Sequence, residues 1–335
     1  MYIKEANFAL WCDFIERAFL KTEFKRLIEN GFVNGATSNP AIFKNAITTS
    51  PAYREEIEKM RGASPKEIYE KLAIQDIALA ADIMKDLYAG DDDGFVSIEV
   101  DPFLCDDTEG TVAEAKRLHR SIDRPNIMIK VPATMAGYDA MEALIAEGIH
   151  VNATLIFDPV QAEGCLNAFE LGVNRFVSLY PDTPLPKAVI SIFVSRFDRM
   201  MDATLGQKGL PQGRLGIYNA TKIYHMIEKR GLPNVRALFA STGVKGDAYP
   251  ADYYVSELLY KNAVNTAPLE TIEAFVESGN NSVKSPVSEE EIEAFFTKLK
   301  RSGIDRDEIY KTLLTEGLDA FKKAFTEILE ALEKG

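Results

Sequence analysis

Cysteine, histidine and tryptophan are scarce in this chain, at three, three and one among 335 residues. Cys12, Cys105 and Cys165 are odd in number and far apart, so they form neither a disulfide framework nor the close spacing of a zinc or redox motif, and are expected to be free core or near-site thiols. His119, His150 and His225 are scattered without ligand spacing. No metal site and no cofactor are therefore expected. Basic residues are also in deficit: 38 face 51 acidic ones, and the net charge of -13 disfavours nonspecific contact with nucleic acid or an anionic membrane. An anionic substrate would have to find local positive charge. No apolar run approaches the roughly 20 residues of a membrane span, and Met1 to Asp13 carries no apolar run behind a basic segment. A cytoplasmic protein with no nucleic-acid or membrane partner is expected.

What is present is an alternation of short apolar strands with longer amphipathic helical stretches, the pattern of a parallel sheet with crossover helices. Eight strands are predicted: Phe8 to Asp13, Phe32 to Asn39, Phe95 to Asp101, Ile127 to Val131, Ile149 to Phe157, Val189 to Val194, Val235 to Ser241, and Ala263 to Ala267. Helices are predicted over Pro40 to Phe43 and onward, Pro65 to Tyr88, Thr111 to Ser121, Tyr138 to Glu147, Pro159 to Leu171 and Arg214 to Arg230. Eight strand-helix units suggest an α/β fold closed as a (β/α)8 TIM barrel, which takes about 250 residues and leaves room for additions. One is the proline-rich stretch near 180–187, which reads as an insertion between a helix and a strand. Another is the helical segment of about 280–335, opened by a capping-box signal at Ser288 and Glu291. Leu318, Phe321, Phe325, Ile328 and Leu332 fall on one face of it, so it should pack back on the barrel. No linker or repeat divides the chain, and residues 1–335 read as a single domain with the C-terminal helices packed on the barrel.

Lys130 is the anomaly in this pattern, a cation near the C-terminal end of the run Ile127-Met128-Ile129-Lys130-Val131-Pro132. Burial disfavours an ammonium, and a desolvated neutral amine is a nucleophile for carbonyls. A lone strand lysine can equally snorkel or pair with a carboxylate. Strand parity decides what surrounds it, because side chains alternate faces. Met128 and Lys130 share one face, as do Ser97, Glu99 and Asp101 opposite Val96, Ile98 and Val100. Asn152 and Thr154 oppose Val151, Ala153 and Leu155, and Ser191 and Phe193 oppose Ile190, Ile192 and Val194. Asp13 follows Trp11, Asn39 follows Thr37, and Ser241 follows Phe239 on the same reckoning. Seven strands thus carry a polar group near the C-terminal end of the inward face, where barrel enzymes place their chemistry. Taken singly, Asp13 also suits a helix N-cap, Asn39 a strand end, and Asn152 with Thr154 a satisfied core pair. Together, an amine with two carboxylates is the set needed to form and dehydrate a carbinolamine and move protons during C–C cleavage. Arg196, and Lys245 in Ser241-Thr242-Gly243-Val244-Lys245, supply cations near the mouth for a phosphate.

The ordered set Ala36-Thr37-Ser38-Asn39-Pro40, Ser97-Ile98-Glu99-Val100-Asp101, Ile127 to Thr134, Val151 to Leu155, Ser191 to Arg196 and Ala240 to Gly243 resembles the transaldolases, class I Schiff-base sugar aldolases on a (β/α)8 barrel. Its length and proline-rich insertion look like the longer bacterial and plant-type branch. The resemblance implies that Lys130 forms the Schiff base, that Glu99 is acid and base in carbinolamine dehydration, and that Asp13 takes the C4 hydroxyl proton. It assigns Thr154 to positioning the catalytic water, and Asn39 and Asn152 to the hydroxyls of the dihydroxyacetone unit. Ser191 and Phe193 would shape the pocket, with Arg196 and Ser241 on the phosphate. Many members carry a second arginine just after the serine of the seventh strand, where this chain has Thr242 and Gly243, which leaves Lys245 as a substitute cation. Shorter relatives that only cleave fructose 6-phosphate tend to carry tyrosine at the position of Glu99, so Glu99 favours transfer. The implied partners are sedoheptulose 7-phosphate, fructose 6-phosphate, glyceraldehyde 3-phosphate and erythrose 4-phosphate, and a homodimer is compatible with the resemblance. Simple aldolase-type cleavage and a non-catalytic sugar-phosphate-binding barrel are the alternatives.

Overall fold

The computed structural model describes residues 2–334. Its nine strands, all in one sheet and in sequence order, are β1 (Tyr2–Ile3), β2 (Phe8–Cys12), β3 (Gly35–Thr37), β4 (Phe95–Glu99), β5 (Ile127–Pro132), β6 (His150–Ile156), β7 (Ala188–Phe193), β8 (Val235–Ala240) and β9 (Ala263–Ala267). β2 pairs in parallel with both β3 and β9, which closes the eight expected strands into a (β/α)8 barrel. β1 was not expected; it is two residues long, below what a hydrophobic pattern can register, and pairs antiparallel with β2.

Helix starts follow their capping residues. Ser64 and Glu67 form a reciprocal capping box, with Pro65 at the first helical position, and launch the helix Pro65–Ala89. Asp158 and Gln161 do the same for Pro159–Leu179, which runs two turns beyond the predicted Leu171 and delivers the chain directly into the proline-rich segment. Ser288 accepts the Glu291 N–H at the start of Glu289–Arg301, but the expected reciprocal arm is missing. Glu291 instead accepts the Tyr218 hydroxyl at 2.5 Å, trading a local contact for a tertiary one.

Two apolar layers hold the barrel. The outward strand residues, such as Ile98, Ile129, Val151 and Ile190, pack under the helices. The inward ones, Ala9, Trp11, Phe95, Met128, Val189, Leu238 and Val264, form a second cluster that continues into the C-terminal helices. The helix Arg306–Lys334 buries Phe321, Phe325, Ile328 and Leu332, with Leu318 half-buried beside them. Phe325 sets its ring edge-on to Tyr69 at 5.2 Å, which fastens this helix to Pro65–Ala89. No helix among the described residues is long and apolar enough to cross a membrane.

The inward layer requires a glycine at one point. A Cβ on Gly35 would fall inside the Trp11 indole. That ring cannot easily retreat, because its Nε1–H donates to Asp93 at 2.9 Å and Asp93 is ion-paired with Arg236. Gly35→Ala is expected to cost about 1–3 kcal/mol through overpacking, read as a lower urea midpoint at an unchanged slope. An unchanged midpoint would mean that the indole yields.

Strand parity holds through β2 to β7 except at Leu155 in β6, and fails again at Phe239 in β8. Leu155 was expected to face outward with Val151 and Ala153. Its backbone is left-handed, with φ of 59°, and the register between β6 and β7 shifts between Ala153 and Ile156. This bulge turns Leu155 into the inward cluster. Phe239 was expected to share the inward face with Ser241. It packs outward against Tyr224 and Tyr260 instead, while Arg236, Leu238 and Ala240 take the inward positions. Ser241, at φ of 54°, turns the chain at the end of β8 and escapes the alternation.

Candidate active site

Lys130 is buried inside the barrel near the C-terminal end of β5, in register with Glu99 of β4 and Asn152 of β6. Its Nζ donates to the Ser38 carbonyl at 2.9 Å and lies 3.4 Å from Glu99 Oε2. Both side chains are about 5% exposed, 6% for the lysine and 5% for the glutamate, so the pair is almost wholly screened from water. Glu99 Oε2 has the distance of an ion pair without hydrogen-bond alignment, and makes no hydrogen bond. Burial pushes the Glu99 carboxyl up to about 7, against the pull of Lys130, with Asp13 adding to the rise. A carboxyl tuned to neutrality can donate and accept a proton at working pH.

Asp13 sits just past β2, its N–H donating to the Ala267 carbonyl at 2.9 Å. It is not a helix cap, since Glu16 caps the helix that follows. Its carboxylate accepts the Thr37 hydroxyl at 2.6 Å, and Thr37 lies 2.6 Å from the Thr266 hydroxyl, so β2, β3 and β9 are laced together beside the lysine. Desolvation raises the Asp13 carboxyl, while Lys130 and the Thr37 hydroxyl oppose the rise. A second relay spans the other side. Ser191 donates to Asn152 Oδ1 at 2.6 Å, and Asn152 Nδ2 donates to the Ser97 hydroxyl at 3.1 Å, joining β7, β6 and β4. Thr154 is fully buried, and its hydroxyl is unpartnered among the described residues. An unmet hydroxyl in such a place is costly unless a ligand or water meets it.

The remaining predicted residues are less enclosed. Asn39 is half-buried and commits Oδ1 to the Ile42 N–H, capping the helix Pro40–Thr49. The Phe193 ring packs at a tilt against Phe157, centre to centre 5.2 Å, and the Arg196 guanidinium lies 5.0 Å from the Phe193 ring centre. Arg196 makes no salt bridge among the described residues; burial, and then Arg199, lower its pKa from the usual range, with Glu316 opposing them. A guanidinium without a salt-bridge partner is what an incoming anion would seek. Ser241 faces Ser195, hydroxyl to hydroxyl, at 3.1 Å. Lys245 is exposed in the loop after β8.

Four contributors escaped the sequence reading: the Ser38 carbonyl, Thr266, Gly317 and Phe321. The ring of Phe321, on the C-terminal helix, lies 6.0 Å from Lys130 Nζ. A Cβ on Gly317 would sit 3.0 Å from Leu155 and 3.3 Å from Arg196. Helical spacing showed that this face packs, but not on which pole. A cavity of about 1190 Å³ opens at the opposite, N-terminal pole, lined by His150, Arg236, Asn234, Tyr180 and the stretch Thr183 to Lys187. It lies beneath the strand starts, away from the Lys130 group.

The Transaldolase/Fructose-6-phosphate aldolase family model matches residues 10–332. A transaldolase of Campylobacter jejuni subsp. jejuni serotype O:23/36 (strain 81-176) is 50% identical over 333 residues, covering 97% of this chain and 99% of that protein. A transaldolase of Helicobacter pylori (strain HPAG1) is 43% identical over 326 residues, with the same coverage of 97% and 99%. With a closed barrel, a buried lysine-carboxylate pair at its C-terminal pole and likeness along nearly its whole length, the chain belongs to the transaldolase/fructose-6-phosphate aldolase family.

Proposed function

We infer that the chain transfers a dihydroxyacetone unit from sedoheptulose 7-phosphate to glyceraldehyde 3-phosphate, giving erythrose 4-phosphate and fructose 6-phosphate. The observation that carries this reading is the Lys130–Glu99 pair at 3.4 Å, buried inside a barrel and flanked by a second carboxylate. Lys130 in its neutral form attacks the ketose C2 carbonyl. Glu99 protonates the hydroxyl of the carbinolamine, which leaves as water, and an iminium forms. Asp13 takes the proton of the C4 hydroxyl as the C3–C4 bond breaks. The bond electrons pass into the iminium to give an enamine, and the first aldehyde departs. The acceptor aldehyde then binds, and the same steps run in reverse.

The other residues hold the substrate still. Asn152, already polarised by Ser191 and Ser97, and Asn39 through Nδ2 suit the hydroxyls of the transferred unit. Thr154 offers its unmet hydroxyl to the water that leaves and returns. Arg196 with Ser241 suits the phosphate, and Lys245 adds the outer cation. Ser191 and Phe193 close the pocket wall. A cytoplasmic setting suits phosphorylated substrates of this kind.

Borohydride reduction in the presence of fructose 6-phosphate is expected to fix one dihydroxyacetone-derived adduct on the peptide that contains Lys130. Peptide mass mapping that finds no adduct, or finds it on another lysine, would overturn the mechanism.

A further inference from the structure

The enamine on Lys130 has two fates. Its carbon either adds to an acceptor aldehyde, which completes transfer, or takes a proton from water. In the second case the resulting iminium is hydrolysed, and free dihydroxyacetone leaves with the lysine amine restored. The outcome depends on how much water reaches that carbon. The strands alone do not seal it, since their ends open at the mouth. The apolar side chain set over Lys130 Nζ from outside the strands is Phe321, its ring centre 6.0 Å away and its own surface 6% exposed.

The ring is held in place from both directions along its helix. One turn earlier, Gly317 brings the helix backbone against Leu155 and Arg196, where even a methyl group would be tight against Leu155 at 3.0 Å. Residues four apart share a helix face, so this close seat aims Phe321 at the same pole. One turn later, Phe325 is pinned edge-on by Tyr69, and two residues beyond it Glu327 is ion-paired with Lys44 at 2.5 Å. The bulge that turns Leu155 inward supplies the surface on which Gly317 rests.

We propose that Phe321, seated by Gly317, is a specificity-determining residue that keeps water from the Lys130 enamine and so commits the bound unit to transfer rather than release. This rests on the Schiff-base reading above and deepens it. The test measures partition with fructose 6-phosphate as donor: free dihydroxyacetone released per unit transferred to an acceptor aldehyde. Phe321→Ala is expected to raise that ratio about tenfold, and Phe321→Leu, which keeps an apolar cover, to leave it near the unsubstituted value. Gly317→Ala, which replaces a glycine by a better helix former and should fold, is expected to lift the ring and raise the ratio about threefold; it serves as the readout should Phe321→Ala not fold. Borohydride trapping on Lys130 accompanies each variant. An adduct of full yield with an unchanged ratio in Phe321→Ala, or in Gly317→Ala where the former does not fold, overturns this proposal alone. Absence of an adduct in the unsubstituted protein overturns the parent reading and this one together.

Discussion

Lys130→Met is expected to abolish transfer, with kcat falling by about 10⁴-fold or more, because every covalent intermediate hangs on the amine that is removed. Methionine keeps the unbranched stem and the apolar volume, so the strand and its neighbours Ile129 and Val131 have no reason to move. The consequence for Glu99 provides a control. Without the cation 3.4 Å away, nothing opposes the desolvation that already pushes this carboxyl up to about 7. A carboxyl raised in the folded state binds more protons folded than unfolded between its ordinary value and its folded one, so stability falls as pH rises through that window. The variant should therefore go on losing stability above pH 7, where the unsubstituted protein levels off, by a total of about 1.4 kcal/mol per unit of added shift, read as a larger fall in melting temperature between pH 5 and pH 8. Retained transfer in a folded Lys130→Met protein would sink the Schiff-base assignment.

Glu99→Gln removes the proton carrier while leaving the amine, and the expected loss in kcat is about 10²- to 10³-fold. Its signature is a change in pH dependence. Glu99 must be a carboxylate to take the proton that the attacking amine gives up, and protonating it beforehand removes that base. With Glu99 raised to about 7 by burial, that protonation sets in as pH drops below this value. kcat/KM of the unsubstituted protein should fall about tenfold per unit on the acid side of it. The glutamine variant should show no such limb near 7. If the limb persists there, another group sets it, and Asp13, also raised by desolvation, is the next to replace.

The ring of eight strands was legible because each strand pairs with its neighbours in sequence order, and most announce themselves by a short apolar run between helical stretches. The inward polar set followed from alternation alone as far as Asp13, Glu99, Lys130, Asn152 and Ser191. Parity failed where the backbone leaves the extended region, at Leu155 and Ser241, and a single residue at positive φ reverses every face assignment beyond it. No hydrophobic pattern marks a left-handed residue that is neither glycine nor asparagine. Asn39 shows the reverse difficulty: the sequence offered it as a strand end or a site residue, and the structure adds a third task, the N-cap of Pro40–Thr49 through the Ile42 N–H. Phe321 was placed on the correct helix face but could not be placed over Lys130, because that contact depends on how a helix far along the chain crosses the finished barrel. Gly317 gave no signal at all, a mid-helix glycine whose reason is the neighbour it allows close.

Trp11 has a use outside catalysis. It is the only tryptophan in the chain, it is fully buried, and it lies in register with Thr266 where β2 meets β9, the seam at which the two ends of the sheet find each other. Its indole is tethered to Asp93, and through it to Arg236 on β8, so its surroundings exist only when distant parts of the chain have come together. Excited at the red edge of protein absorbance, the molecule therefore emits from one place, and its colour reports whether the ring is shut.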